Sequence, residues 1–515
     1  MSRPNHGGIV RALTGILLAS ATLSAAPAIS AIYNNSSFIP TGYPGYGIAP
    51  SSLFVIQGTG LADPGTPVLQ DTTHGLPLTL SGASLSVTVS GKTTHPAIYY
   101  TSPTQVAAVL PAATPVGTGT ITVTYKGATS APFPVKVVTS ALGFSMYAGS
   151  VAIATDAVTG ALLGYTQSGK PGEIILLWGT GLGADPADSD TTYTPAPHQL
   201  NVNLQLYIGE IKADIIYQGA SVYPGVAVLG VTIPPSVATG CFVSVSALID
   251  QTPSNVATLP IASDGGVCHD AYSGLDGKQI NQAALGTYKT GSLRVLQNNS
   301  VVSGNPKSSG QATAALLQVS TSFAPEAPAV GGCLLSPGSG SVSVTGLDSG
   351  TVTLTPSGGS AVTMTGFATG EYSALLPVVP GGNYTFRGSG GTQVGGFQAA
   401  INMPVPALNW TNQSAAATVN RAAGLPVTWT GGMPKTLVNI TGFSAAAEIG
   451  VGFSCLVAVE AGQFTVPANI LLALPAGSGY VVLINNSPPG NFSATGIDFG
   501  TISASINFVE NTIYN

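Results

Sequence analysis

Few side chains in this sequence could serve as a catalytic base, a nucleophile or a metal ligand. No two of its five histidines stand at the i, i+4 spacing that turns both imidazoles to one helix face for zinc binding. The G-x-S-x-G turn of hydrolases does not occur. His269 and Asp270 are the only adjacent His–Asp pair, and we interpret them as a solvated linker, because a triad is defined by spatial roles. The sequence thus predicts no catalytic residue, metal ligand or cofactor.

Three aspartates, Asp185, Asp188 and Asp190, lie close enough in sequence to offer several oxygens to a Ca²⁺ ion. The EF-hand order, with its central glycine and terminal glutamate, does not surround them. We therefore favour a solvated loop at this position, and calcium binding stays an open alternative.

Aromatic residues suggest a second kind of site, because planar rings can stack on sugar faces. The same residue types commonly pack the ring in a core and leave the hydroxyl in water. The sequence does not decide between these roles, so the binding residues are unknown. The residues concerned are Tyr33, Phe38, Tyr43, Tyr46, Tyr99 and Tyr100.

The four cysteines, Cys241, Cys268, Cys333 and Cys455, suit an oxidising compartment, because their even number leaves no obligatory free thiol. Four cysteines allow three pairings. We favour Cys241–Cys268 within one domain, with Cys333–Cys455 as the remainder, and the pairing of the latter two stays open. Their spacings are wider than the short gaps of zinc clusters, so a metal site is disfavoured.

The composition indicates an all-β protein with an uncharged polar surface. Only 7% of the residues are charged, and 66 Gly and 38 Pro favour tight turns over long helices. Without Arg3 and Arg11, which lie in the leader described next, 12 Lys and Arg face 20 Asp and Glu, a net charge of −8. No clustered cations are present to bind nucleic acid or an anionic membrane surface.

The N-terminus has the pattern of a secretory signal peptide. Arg3 and Arg11 precede an apolar stretch, and Ala26-Pro27-Ala28 resembles a cleavage site. We predict a signal peptide over residues 1–31, with cleavage after Ala28 or Ala31. An uncleaved anchor is the alternative, but the apolar stretch is shorter than the roughly 20 residues of a spanning helix. After cleavage we expect no transmembrane segment and a secreted, extracellular, cell-surface or periplasmic protein.

An internal repeat is the most informative feature of the first half. The segment 52–64, with the letters SLFVIQGTGLADP, matches the segment 173–186, EIILLWGTGLGADP, so that Gly58 corresponds to Gly179. The strand patterns around Gly91 and Gly209 and the final strands after Gly119 and Gly240 also correspond. Period-two alternation and about 100–120 residues per copy predict two sandwiches of about seven strands.

These repeated motifs resemble the IPT/TIG-type immunoglobulin-like modules of large secreted proteins from soil bacteria. The resemblance covers about residues 40–270 and rests on the Gly-Thr-Gly-Leu turn, the Gly91 and Gly209 hairpins and the Leu-Pro or Ile-Pro before a last strand. It implies extracellular β-sandwiches without catalytic residues, and a tail that ties Cys268 back to Cys241.

The second half continues as β structure with less motif support. Residues 269–285 are predicted to connect the modules with about one helical turn, and Ile470 to Leu474 to form a short corner helix. The fold class is therefore all-β, with tandem immunoglobulin-like sandwiches arranged in series. We predict sandwiches at 32–140 and 141–270, a third with its linker at 271–404 and a fourth at 405–515.

These observations predict a non-catalytic extracellular or cell-surface scaffold or adhesion protein. Its partner would be an extracellular protein or a glycan of unknown identity. A carbohydrate-binding accessory protein of an exported polysaccharide-processing system is the alternative. A hydrolase with a site between domains also stays open, and it would require a pocket with a histidine beside a carboxylate.

Overall fold

A computed structural model describes residues 26–70, 75–186, 189–192, 198–284, 287–302, 305–320, 327–337, 343–377, 381–447, 449–488 and 490–515. Strands dominate these residues, as the low charge and high glycine content predict. Helical structure in them includes α1 (Gly277–Ala284), α2 (Ala468–Leu471) and 3-10 turns at Gln413–Ala417 and Val459–Ala461. The protein is all-β, with tandem immunoglobulin-like sandwiches.

The first module is a sandwich of two sheets. One sheet has the order β1-β2-β8-β7-β3, and the other has the order β10-β9-β5-β4 with β11 and β6 attached. Every second residue of the strand Ala83–Val89 is buried, because alternate side chains point into the space between the sheets. The strands are β1 (Ala28–Asn34), β2 (Ser52–Thr59), β3 (Val68–Leu69), β4 (Thr79–Leu80), β5 (Ala83–Val89), β6 (Lys92–Thr94), β7 (Ala97–Thr101), β8 (Gln105–Leu110), β9 (Gly117–Tyr125), β10 (Ala128–Thr129) and β11 (Phe133–Val137).

The second module repeats this arrangement. Its sheets have the orders β12-β16-β20-β19 and β13-β14-β23-β21-β17-β18, with β15 beside β16 and β22 beside β21. The strands are β12 (Gly143–Phe144), β13 (Met146–Tyr147), β14 (Val151–Ala152), β15 (Ala154–Asp156), β16 (Ile174–Thr180), β17 (Leu204–Ile208), β18 (Ile211–Lys212), β19 (Asp214–Ala220), β20 (Ala227–Thr232), β21 (Gly240–Ile249), β22 (Thr252–Pro253) and β23 (Ala257–Ile261).

The repeated motifs occupy equivalent strands. Gly58 lies in β2 and Gly179 in β16, and each pairs with the first strand of its module. In the Gly-Thr-Gly-Leu turn of each copy, the second glycine has a positive φ, which is 64° at Gly60 and 101° at Gly181. The repeat in the sequence is therefore a repeat of strand order as well.

Residues 287–515 form a unit with two hydrophobic cores. Its largest sheet has twelve strands, in which β26-β38-β37-β40-β42-β24-β25-β31-β30 run in order and β27, β35 and β41 are attached. The first-half strands of this unit are β24 (Thr287–Val302), β25 (Asn305–Ser320), β26 (Cys333–Pro337), β27 (Ser343–Gly346), β28 (Val352–Pro356), β29 (Val362–Thr363), β30 (Thr365–Ala368), β31 (Glu371–Leu376), β32 (Asn383–Gly388) and β33 (Phe397–Asn402). The remaining strands are β34 (Leu408–Trp410), β35 (Thr418–Val419), β36 (Leu425–Gly431), β37 (Leu437–Ala446), β38 (Ile449–Ala458), β39 (Gln463–Val466), β40 (Gly477–Asn486), β41 (Gly490–Phe492) and β42 (Phe499–Tyr514).

Strands from both sides of residue 404 share this sheet. β42 pairs in parallel with β24 and antiparallel with β40, so the last strand of the chain joins the two halves of the unit. One core also includes the β29-β28-β32-β33 sheet, and its side chains extend from Leu293 to Ile506. The other core includes Trp410, Trp429 and α2. Residues from both sides of residue 404 therefore contribute to each of the two cores, which are interleaved along the sequence.

Two disulfides cross-link the chain, one at the end of the second module and one in the C-terminal unit. Cys241 of β21 is bonded to Cys268 in the connection, with an S–S distance of 2.02 Å. Cys333 and Cys455 face each other across β26 and β38 and are bonded at 2.06 Å. All four sulfurs lie in buried residues, and both pairings that the sequence favoured are present.

The predicted leader lies largely outside the described residues. From Ala28 onward the chain is strand β1, in which Ile32 is buried and pairs with Ile56. Cleavage after Ala31 would remove the first four residues of this strand, whereas cleavage after Ala28 would leave all but one. The strand therefore favours the earlier of the two predicted cleavage positions.

Candidate binding cleft beside the interdomain connection

A cleft of about 320 Å³ lies where the connection after Cys268 passes the twelve-stranded sheet. This volume falls at the lower end of the roughly 300–1,000 Å³ typical of ligand pockets. The connection forms one wall, and β24, β40 and β42 form the floor. The lining residues include Asp270, Tyr272, Ser273, Leu275, Tyr288, Thr290, Ser292, Arg294, Asn486, Ser487, Phe499, Thr501 and Ser503.

Two of the three floor strands, β24 and β42, pair in parallel. Leu293 and Ile502 point from these strands into the hydrophobic core and are buried. Because side chains alternate along a strand, their neighbours point the other way and carry hydroxyl groups into the cleft. The facing pairs on this floor are Thr290 with Phe499, Ser292 with Thr501, and Arg294 with Ser503.

Three aromatic rings, those of Tyr272, Tyr288 and Phe499, line the cleft and are half-buried. The Tyr288 and Phe499 rings meet edge to face, with centroids 6.0 Å apart and an interplanar angle of 67°. Burial raises the pKa of the Tyr288 phenol. This hydroxyl is therefore a neutral donor and acceptor at neutral pH.

One cation and one carboxylate belong to the cleft. Arg294 is exposed, and its Nε donates a hydrogen bond to Ser292 Oγ at 3.1 Å. Asp270 is only 2% exposed and accepts hydrogen bonds from the Ser273 N–H at 2.7 Å and the Ser273 hydroxyl at 2.5 Å. The remaining lining side chains are uncharged, so the formal charges of the cleft cancel.

The interpretation of His269 and Asp270 as a solvated linker was wrong for Asp270. Its carboxylate is buried and fixes the turn at Ser273, because a short acidic side chain readily accepts bonds from the following backbone N–H groups. His269 instead forms an isolated backbone bridge with Asp276 at the start of α1. The connection is thus an ordered wall of the cleft.

The acidic loop of the second module does not gather its carboxylates in the described residues. Asp185 is buried, and its Oδ2 lies 2.7 Å from His198 Nε2. Asp190 instead accepts a hydrogen bond from the Ala112 N–H at 2.9 Å. Asp188 lies outside the described residues, and no group of three metal-ligating side chains occurs within them. Calcium binding therefore stays an untested alternative to the solvated loop.

The contact between His198 and Asp185 is the kind of pair that the hydrolase hypothesis requires. A void that Asp185 and Ser51 help to line has a volume of about 10 Å³, which is room for about one water molecule. Ser51 Oγ accepts a hydrogen bond from the Asp185 backbone N–H at 3.1 Å. Asp185 therefore lies at the contact between the first two modules.

The aromatic residues near the N-terminus are divided between core and surface. Tyr46 is buried, and Tyr43 packs against the core that contains Trp410. Phe38 is 45% exposed and its ring lies 5.8 Å from that of Tyr33. Phe38 and Tyr43 also line a second, mainly apolar cleft of about 300 Å³. Tyr99 and Tyr100 lie half-buried in β7, away from both clefts.

Neither family models nor curated proteins match this chain. Solved structures with similar strand arrangements were found at low similarity. They include a tetra-tandem repeat from the extending region of a large adhesion protein, with 15% identity, a TM-score of 0.13 and coverage of 94% of this chain and 99% of the other. SGBP-B of the Bacteroides ovatus mixed-linkage glucan utilization locus, in complex with a mixed-linkage heptasaccharide, has 12% identity, a TM-score of 0.16 and coverage of 79% and 97%.

A third similar structure contains chicken CNTN1 domains FN1–FN3, with 9% identity, a TM-score of 0.13 and coverage of 73% and 98%. These neighbours are tandem modules, as this chain is. Such low similarity carries no information on the ligand of this protein. Among the described residues, no helix has both the length and the apolar character needed to cross a membrane.

Sequence reasoning did not find the residues of the cleft. Arg294 and Phe499 belong to adjacent strands whose paired residues are 209 positions apart, and no short motif predicts that pairing. One signal was available in the sequence. The alternation Ser292-Leu293-Arg294-Val295 places the serine and the arginine on the same wet face of a strand, and an arginine is rare in this chain.

Proposed function

We propose that this chain is an exported, non-catalytic scaffold or adhesion protein of the extracellular space or cell surface. Its repeated sandwiches would be IPT/TIG-type modules, and the residues before β1 would act as a cleaved signal peptide. The observation that carries the proposal is a set of buried polar contacts that fix the modules against one another. Such contacts suit a protein that holds a binding surface in a constant position.

The strongest of these contacts centres on the carboxylate of Glu210, at the hairpin between β17 and β18. Glu210 Oε1 accepts hydrogen bonds from Ser244 Oγ at 2.8 Å and from the Cys333 N–H at 3.2 Å. Its Oε2 accepts one from Asn469 Nδ2 at 3.0 Å, and Asn469 also donates to Ser246 Oγ at 2.8 Å. This network joins the second module to β26 and α2 of the C-terminal unit.

The first two modules are joined in a similar way. Asn34 Nδ2, at the end of β1, donates to the Ala141 carbonyl at 2.8 Å. The Leu53 N–H donates to Thr180 Oγ1 at 2.8 Å, across the two copies of the repeated strand. Interfaces with buried, directional hydrogen bonds restrict the relative motion that domains otherwise show. Hydrogen bonds therefore fix the first module to the second, and the second module to the C-terminal unit.

The proposal is tested on intact cells of the source organism. We expect externally added protease to cleave the protein on the cell surface or in the medium. Deletion should reduce attachment to surfaces or to other cells, and the full chain should restore attachment. A Glu210→Ala variant should restore it less well than a Glu210→Gln variant, because the former loosens the contact between the modules. Retention in the cytoplasm, or attachment unchanged by deletion, would refute the proposal.

The cleft beside Tyr288 favours a second candidate role, carbohydrate binding. This role is compatible with adhesion, because an adhesion protein needs a ligand on the surface to which it attaches. Aromatic rings above a floor of hydroxyl groups are the observation in its favour.

A further inference from the structure

We propose that the cleft between the connection and the twelve-stranded sheet binds a segment of an uncharged polysaccharide. This inference rests on the proposed adhesion function and names the class of ligand that such a protein would hold. The site comprises Tyr272, Tyr288, Arg294, Asn486 and Phe499, above a floor of serine and threonine hydroxyls.

The aromatic rings match the apolar faces of a sugar. A pyranose ring has C–H groups on its two faces and hydroxyls around its rim, so it needs an apolar plane and a polar border at the same site. Tyr288 and Phe499 supply adjacent rings, and Tyr272 supplies a third ring from the opposite wall. Aromatic side chains with one apolar and one wet end are common in such positions, because they give a large contact area at little entropic cost.

The polar side chains of the cleft suit the hydroxyl groups around the rim of a sugar ring. Serine and threonine hydroxyls donate and accept hydrogen bonds, as sugar hydroxyls do, so either partner can take either role. Asn486 lines the same cleft, and its Nδ2 is buried without a hydrogen-bond partner in the described part of the chain. Buried polar atoms are normally hydrogen-bonded. A ligand hydroxyl in the cleft would accept from this amide.

The charges favour a neutral ligand. Arg294 and Asp270 cancel, and one arginine is too little for a nucleic acid or a polyanion, which needs several cations. A peptide in an extended conformation binds to a sheet edge, where backbone groups are free, whereas this floor is a sheet face whose backbone groups are paired. An uncharged polysaccharide fits both observations, because it needs neither several cations nor free backbone groups.

The shape favours a polymer. Beyond the cleft, the same face of β24 and β42 continues with Leu296 beside Ser505 and then with one polar pair, Asn298 and Asn507, whose side chains are hydrogen-bonded at 2.8 Å. A saccharide chain that enters at the aromatic rings can therefore continue along the strands over hydroxyl and amide groups. A compact ligand would not use this extension.

The test uses the full mature chain and measures its binding to polysaccharides by affinity electrophoresis and by calorimetric titration. The probes are hydroxyethyl cellulose, galactomannan and dextran as neutral polysaccharides, and polygalacturonate as an anionic one. We expect at least one neutral polysaccharide to bind. Tyr288→Ala and Phe499→Ala should each weaken that binding by about tenfold, which corresponds to about 1.4 kcal/mol. Tyr288→Phe and Phe499→Tyr should retain it, since both keep the ring.

Phe367→Ala is the matched control, because Phe367 is 67% exposed on β30 and does not line the cleft. It should bind as the wild type does. Arg294→Gln supplies a variant at an exposed position that leaves the core intact, and it should weaken binding to the neutral polysaccharide without abolishing it. Thermal unfolding of each variant separates loss of the site from loss of the fold.

Three results would overturn the inference. These are no binding to any neutral polysaccharide, binding to polygalacturonate alone, and binding that both alanine variants leave unchanged. Attachment of intact cells is measured separately. If attachment depends on the protein while neutral polysaccharides do not bind, only this inference fails, whereas attachment that is unchanged by deletion removes the proposed function.

Discussion

Glu210 is a residue whose environment could not be read from the sequence. The hairpin at Gly209 and Glu210 was recognised from the repeat, and a glutamate at a turn is ordinarily in water. Here Glu210 is only partly exposed, and its carboxylate is enclosed by Ser244, Asn469 and the Cys333 N–H. Asn469 lies 259 positions away, so only the assembled structure brings the partners together.

Burial raises the pKa of the Glu210 carboxyl, although hydrogen bonds from Asn469, Ser244 and the Cys333 N–H act in the opposite direction. The folded protein therefore binds a proton at pH values where the unfolded chain, with a carboxyl pKa of about 4.3, has released it. Stability from this group is fully present below the unfolded pKa and is lost as the pH rises through the folded pKa.

We predict that Glu210→Gln gains stability relative to the wild type as the pH rises from 5 to 8. The amide keeps the shape of the side chain and has no charge to bury. Urea unfolding at several pH values, followed by tryptophan fluorescence, measures the difference. A difference that stays constant across this range would show that the carboxylate is not enclosed in solution.

Glu210→Ala should instead destabilise the protein at every pH, by about 1–3 kcal/mol, because it leaves buried donors without an acceptor. The same unfolding experiment measures this loss. The glutamine variant is its control, since it keeps one of the two acceptor oxygens, whereas alanine removes both. Equal stability of the two variants would count against the network.

At the scale of elements, the repeated glycine has a steric role. A Cβ atom on Gly58 would lie 2.1 Å from the Ala28 carbonyl oxygen, and one on Gly179 would lie 2.3 Å from the Gly143 carbonyl oxygen. Neither residue has a positive φ, so the reason for glycine is the close approach of the neighbouring strand and not the turn. The first strand of each module can pair only because this position has no side chain.

We therefore predict that Gly58→Ala and Gly179→Ala each destabilise their module by about 1–3 kcal/mol, the usual cost of forcing extra atoms into a packed site. Gly359→Ala is the control, because its Cβ would meet its nearest neighbour at 3.5 Å and its φ is not positive. Chemical unfolding of the three variants provides the comparison. If Gly58→Ala and Gly179→Ala are as stable as Gly359→Ala, the first strand of each module does not pair as closely with the strand of the repeated glycine as the structure shows.

The strands and short helices were largely predictable, and the sheets of the second half were not. The alternation of Ser292 to Val295 lies within β24, and the corner helix predicted at Ile470 to Leu474 forms at Ala468–Leu471. These features depend on local patterns. The pairing of β24 with β42 joins residues 209 positions apart, and the interleaving of the two cores follows from it. The alternation of apolar and polar residues predicts that a segment is a strand, but not which distant strand pairs with it. The cleft on the paired strands β24 and β42 was therefore not predicted.

At the scale of the whole molecule, the two disulfides differ in how much chain they close. Cys241 and Cys268 are 27 residues apart, whereas Cys333 and Cys455 are 122 apart. A longer closed loop removes more conformational entropy from the unfolded chain, about 3.5 kcal/mol for the shorter loop and about 5 kcal/mol for the longer in the entropic model. Cys333 also carries the backbone N–H that binds Glu210, so the longer loop ends at the contact between modules.

We predict that the double variant Cys333→Ser/Cys455→Ser is less stable than Cys241→Ser/Cys268→Ser by about 1 kcal/mol. The first should also speed amide hydrogen exchange around Glu210 and Asn469, because β26 is no longer tied to β38. Mass spectrometry after alkylation, which should find no free thiol in the wild type, verifies the starting state. Guanidinium unfolding ranks the variants, and hydrogen exchange localises the change. If the shorter loop proves the more stabilising and exchange at Glu210 does not change, the second disulfide does not hold the modules together, and their contact depends on the carboxylate network alone.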